Sequence, residues 1–157
     1  MNRVGKLVTS LASGAVLTAT MIVGGAGASS AAPPGQGIAC PYGSNPSGWT
    51  DAVTKKQFTV NVQSVNYVTQ LRFSPSRRCA WARVSYTRTG SGTGEQNPDL
   101  WADQRRGNTY WNQLGQREVP VGRQVVTYTN AWNDAGYEMA ACLWFWRLNV
   151  GQCTGWY

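Results

Sequence analysis

The side chains able to do chemistry in this chain are few, and one type is missing altogether. The 157 residues include no His. A Ser-His-Asp triad, a Cys-His pair and a His-ligated zinc or haem are therefore excluded. Carboxylates remain. Glu95, Asp99, Asp103, Glu118, Asp134 and Glu138 could in principle supply a glycosidase pair, but no spacing singles out two of them. Lys55 and Lys56 are adjacent at a strand entry, where a solvated amine is no base for a serine nucleophile. The expectation is a protein that is not an enzyme and uses no cofactor or metal.

Arginine and aromatic clusters are better candidates, for binding rather than turnover. Arg72, Arg77, Arg78 and Arg83 surround Trp81 in sequence. Guanidiniums fork onto phosphate or carboxylate, and an indole offers a stacking face. Trp81 and Arg83 are expected to be frame, with the ring buried and Arg83 stacked on it or paired with Asp51. Arg77 and Arg78, beside a turn, are expected to be exposed. The second cluster runs from Asn97 to Trp111. Asn97-Pro98-Asp99 has the composition of a helix start, and Arg105-Arg106-Gly107 that of a helix end. On a helix of about two turns Trp101 and Arg105 share a face, with Tyr110 and Trp111 just beyond. Exposed rings of this kind stack on sugars. The candidate ligand contacts are thus Arg77, Arg78, Trp101, Arg105, Arg106, Tyr110 and Trp111.

Placing these residues needs a framework, and the chain's ends and cysteines supply part of it. Residues 1–31 have the form of a secretory signal peptide. Arg3 and Lys6 precede an uncharged run from Leu7 to Ala26, and small residues at Ala26-Gly27-Ala28 and Ser29-Ser30-Ala31 offer cleavage sites. The run is richer in Gly, Ala and Thr than a membrane anchor would be, and no second apolar run of that length follows. An exported chain with four cysteines is expected to form two disulfides. Of the three connectivities the simplest is Cys40–Cys79 with Cys142–Cys153, each contributing about 3–4 kcal/mol on loop-closure arithmetic. A zinc site is not expected, since no pair has Cys-x-x-Cys spacing.

Residues 32–47 are rich in Pro, Gly and Ser and read as an extended lead-in pinned at Cys40. Residues 48–157 read as a single β-domain. Phe58-Val60-Val62, then Val65-Tyr67-Thr69-Leu71-Phe73, then Ala82-Val84-Tyr86 alternate with mostly polar partners, the period of half-buried strands. Thr109 to Leu114, Arg117 to Val121 and Arg123 to Asn130 also have strand composition. Met139 to Leu148 is apolar on both faces, as in a central strand covered on both sides. Asn149-Val150-Gly151 marks a turn before a last strand over Gln152 to Trp156. The fold class is therefore all-β: a small antiparallel barrel or sandwich with at most one short helix and two disulfides.

Leu71-Arg72-Phe73-Ser74-Pro75, followed by Ala80-Trp81-Ala82-Arg83-Val84, resembles a family of small exported proteins of Gram-positive bacteria catalogued as domain of unknown function 2690. That family's pattern is roughly Leu-Arg-Tyr-Ser-x-x-Cys-x-x-x-Trp-Ala-Arg. Asp51-Ala52-x-Thr54 is similar to its Asp-Ala-x-Thr, and Ala141-Cys142-Leu143 and Cys153-Thr154 to its C-terminal cysteine pair. Two positions depart from the pattern: Arg77 stands where a Cys follows Ser-Pro-x, and Trp49 where Gly-Cys precedes Asp-Ala. Both changes remove a cysteine, so the resemblance implies one bridge lost as a unit and Cys79 paired with Cys40 instead. It implies a secreted, disulfide-stabilised β-domain and no established activity.

The chain has 14 basic residues against 7 acidic ones, and it stays basic after Arg3 and Lys6 are removed with the leader. A basic exterior suits a cell-wall polymer, another carbohydrate-bearing surface or an acidic protein. Nucleic acid is not the expected partner, and because the charge is spread rather than blocked it also suits mere solubility of a secreted protein. The expected protein is a secreted, extracellular binding domain with no transmembrane segment in its mature form. A secreted effector, such as an antimicrobial protein or enzyme inhibitor, is the alternative. Oligomeric state is left open by the sequence.

Overall fold

The computed structural model describes residues 40–41, 43–90, 97–108, 110–122 and 126–157, all within the compact unit Ala32–Tyr157. The expected leader and residues 32–39 of the lead-in lie outside the described residues. Alternating patterns become strands β1 (Val53–Val62), β2 (Val65–Ser74) and β3 (Cys79–Arg88). Gln63 and Ser64, at φ 48° and 64°, close the first hairpin with the left-handed pair that suits the twist of antiparallel strands. Then follow β4 (Asp99–Arg106), β5 (Tyr110–Glu118), β6 (Val126–Tyr128), β7 (Trp132–Asn133), β8 (Glu138–Phe145) and β9 (Val150–Cys153). One sheet has the order β1-β2-β3-β6, with β7 also paired to β3; the other has the order β5-β4-β8-β9. All pairings are antiparallel.

The two sheets pack face to face as a sandwich. Val65, Tyr67, Leu71, Phe73, Ala82 and Val84 of the first meet Leu100, Ala102, Met139, Ala141, Leu143 and Phe145 of the second in one core. The Tyr67 and Phe145 rings meet edge to face at 5.1 Å. Burial pushes the Tyr67 phenol up to about 12, so it stays protonated at the heart of the sandwich.

The helix expected over Asn97–Gly107 is strand β4 instead. Leu100 and Ala102 face the core and are fully buried, while Trp101, Asp103 and Arg105 take the other face. That segment satisfies a strand period as well as a helical one, and caps are worth only about 1 kcal/mol. Pairing with β5 on one side and β8 on the other outweighs them. The two strand segments expected over Thr109–Val121 are the single strand β5, which absorbs a register shift near Gly115 at φ 62°. The expected strand through Leu148 ends at Phe145, and Trp146–Leu148 turn as one 3₁₀ turn closed by left-handed Asn149.

Outside the first sheet lies a second small core of Cys40, Cys79, Trp81 and Ala131, packed with Trp49, Ala52 and Tyr128. Here the chain from Cys40 to Ala52 folds over β2 and β3. It is pinned by the Cys40–Cys79 disulfide and a bridge from Ser44 to Ala131. A polar clasp completes the attachment. Asp51 Oδ2 accepts from the Ser74 hydroxyl (2.6 Å), the Ser76 hydroxyl (2.7 Å) and the Ser76 amide (3.1 Å). Arg72 donates to Thr54 Oγ1 (2.7 Å) and to the Ala52 carbonyl (2.8 Å).

Trp81 is 4 % exposed and meets Trp49 edge-on at 5.3 Å, so Trp81→Ala should cost about 3–5 kcal/mol in a urea melt; a wild-type melt would reject its role as anchor. The Ser74 and Ser76 hydroxyls hold the Asp51 carboxyl down at about 2. A depressed carboxyl stabilises the fold fully above the ordinary aspartate value of 3.8 and loses that contribution as pH falls toward 2. Asp51→Asn should therefore flatten the stability profile in that window; an unchanged acid limb in pH-resolved melts would show that the clasp carries no pH dependence.

Candidate functional site

The arginine cluster around Trp81 separates in three dimensions. Arg72, opposite Trp81 in the ladder, is committed to the clasp. Arg83 donates to Gln70 Oε1 at 2.8 Å and not to Asp51. Burial, and then the nearby Arg72 charge, lower its pKa. Arg78 turns away at φ 52° to pair with buried Asp134 at 3.3 Å, its guanidinium 5.8 Å from the Phe73 ring. Burial raises the Asp134 pKa, and Arg78 opposes the shift. Arg77 is exposed as expected. It lies over the Trp49 ring at 4.8 Å and 3.5 Å from Asp51, beside a groove of about 500 Å³ that Pro41, Asn45 and Trp49 also line. Positions 49 and 77 are thus in contact here as indole and guanidinium.

The second cluster keeps its shared face, for a different reason. Trp101 and Arg105 are an even number apart on a strand, so both leave the outer side of β4. Trp101 is not the exposed stacking ring that a surface helix would present. It is 8 % exposed, and its indole N–H donates to Asp103 Oδ1 at 2.8 Å. Arg105 donates to Glu138 Oε2 at 2.7 Å and lies on the Trp156 ring at 4.2 Å. Arg106 points the other way, 6.0 Å from the Tyr137 ring. Tyr110 and Trp111 pair with Arg106 and Arg105 in the β4–β5 ladder; their side chains lie outside the described residues.

That outer face of the β5-β4-β8-β9 sheet also holds a disulfide and further indoles. Ala140 and Cys142, outward on β8, are fully buried there. The Cys142–Cys153 disulfide crosses from β8 to β9, with Asp103 Oδ2 3.1 Å from the Cys142 sulfur. Asp103, Cys142 and Cys153 bring ligand-type atoms within 4.8 Å of one another, but the sulfurs are bonded to each other, leaving one carboxylate and no thiolate for a cation. Trp144 lies flat over Gly151, its partner in the ladder; a Cβ at Gly151 would overlap the indole ring.

At the end of this face stands a residue that the sequence reading missed. Trp146 is 61 % exposed. It is held all the same: its indole N–H donates to Asp99 Oδ2 at 2.6 Å, and the same oxygen accepts from Gln116 Nε2 at 2.6 Å. Its ring centroid is 5.9 Å from that of Trp144. Leu148 and Val150 beside it are exposed as well. The available signal was the Trp-x-Trp spacing followed by Asn149. A strand running on through Leu148 concealed it, because that places Trp146 in the sheet instead of at its rim.

Gly151 tests this packing. Gly151→Ala should displace Trp144 and cost about 1–3 kcal/mol by overpacking, with a change in tryptophan fluorescence. An unaltered spectrum and melt would show that the indole does not depend on the missing Cβ.

Among the described residues no helix is long and apolar enough to cross a membrane. No family model, no curated protein and no solved structure matches the chain, so the resemblance to the exported Gram-positive family rests on its motifs alone.

Proposed function

We propose that this is an exported, non-enzymatic β-sandwich that binds an uncharged extracellular carbohydrate through the indole of Trp146. One observation carries the reading: the most exposed large apolar side chain among the described residues is an indole fixed by a carboxylate that an amide also engages. An indole face stacks on the C–H face of a sugar ring. The second oxygen of Asp99 and the Gln116 amide are hydrogen-bonding groups suited to its hydroxyls. Holding the ring in advance lowers the entropy cost of binding.

Charge supports a neutral ligand over the anionic polymer that composition suggested. Arg78 and Arg105 are engaged by Asp134 and Glu138, and Arg77 lies against Asp51. The face itself carries Asp99, Asp103, Glu118 and Glu138, four of the seven acids, and its outward Arg105 is paired with Glu138, so it offers a polyanion little attraction. Export is supported by the leader-like residues 1–31 and by two disulfides that persist in oxidising compartments.

Affinity electrophoresis and pull-down on cell wall, cellulose and chitin test the proposal. Wild type should bind at least one of them with little salt dependence, because the contact is not ionic. Trp146→Ala should weaken that binding about tenfold or more, with a melt within about 0.5 kcal/mol of wild type, as for other surface changes. Binding that falls steeply with salt, or that survives Trp146→Ala, would overturn it.

A further inference from the structure

The Trp146 platform is one end of a longer feature. Asp99, which fixes Trp146, and Arg105, which lies on Trp156, are six residues apart on the same side of β4. At roughly 3.3 Å per residue that is about 20 Å, several pyranose rings end to end and far more than one. Between the ends, exposed Gln113 reaches Gln116, while Trp101 and Asp103 of the same face are buried. The far end repeats the design of the near one, an indole with a carboxylate-held polar group. Here the guanidinium of Arg105 is fixed by Glu138 and stacked on the ring.

We infer that this face takes an extended uncharged glycan chain across the sheet, from Trp146 to Trp156, and not a single terminal sugar. The inference rests on the proposed carbohydrate reading and adds to it the form of the ligand. Two fixed platforms on one rigid sheet reward a chain long enough to reach both. The second contact is then made within the complex, at a high effective concentration, whereas a short sugar reaches only one.

Calorimetric titration of the exported protein with gluco-oligosaccharides (β-1,4- and β-1,3-linked) and chito-oligosaccharides of one, two and six rings decides the matter. A six-ring sugar should bind about a hundredfold tighter than the two-ring sugar of the same linkage. Trp156→Ala should bring the six-ring affinity down to about the two-ring level. Arg105→Lys, which keeps the charge beside Glu138 but loses the planar stack, should act in the same direction with the fold intact. Trp146→Ala should weaken every length. If two and six rings bind equally while Trp146→Ala still abolishes binding, the extended chain is overturned and the Trp146 site stands. If no sugar of any length binds, the carbohydrate reading itself falls, and the extended chain with it.

Discussion

The organising constraint in this protein is that β8 is apolar on both of its faces, in a sheet with only one partner layer. Met139, Ala141, Leu143 and Phe145 face the core, and Ala140 and Cys142 face outward, all buried. Leaving the outward row bare would expose apolar surface at a cost of roughly 25 cal/mol per Å². The chain covers it with side chains from its own sheet: Trp101, Trp144 laid on Gly151, the disulfide to β9, and the stack of Arg105 on Trp156. An indole covers the most area per residue and still has an N–H to satisfy, which Asp103 and Asp99 do for Trp101 and Trp146. The tryptophan content of the chain therefore has a structural cause first. The proposed binding surface is what results where one indole of the series, Trp146, lies beyond the end of the strand.

The other sheet meets the same need by a different means. The chain from Cys40 to Ala52 is laid across its outer face and held by a disulfide, by Asp51 on Ser74 and Ser76, and by Arg72 on Ala52 and Thr54. Two of the segments on which the resemblance rests, Asp51-Ala52-x-Thr54 and Leu71-Arg72-Phe73-Ser74, are thus the two halves of one clasp. This accounts for their polar residues without any ligand. It also leaves the two outer faces unlike each other. One is closed by a strap with guanidiniums tied to backbone and amide oxygens, and the other is covered by its own indoles and is rich in acids.

Much of the architecture was legible because it is local. Period-2 alternation located β1, β2 and β3, and the apolar run after Met139 marked a doubly covered strand. Of the three possible cysteine pairings, the simplest is the one formed. The segment from Asn97 to Gly107 was not legible. Its capping residues are favourable for a helix, and its alternation of Leu100 and Ala102 with Trp101 and Asp103 is equally favourable for a strand; only the presence of β5 and β8 on either side decides between them.

What the sequence determined alone is the chemistry at hand: no imidazole, a scarcity of acids, many indoles, four cysteines and the alternation that makes sheets. Tertiary structure decided which of those groups are free to act. Trp101 and Trp146 are the same residue type, yet one is buried over Asp103 and the other stands at the sheet's rim. Arg77 and Arg78 are neighbours in sequence, yet they leave the chain toward different acids. The physical reason is that exposure belongs to the surface a side chain meets, and that surface is built from strands far apart in sequence.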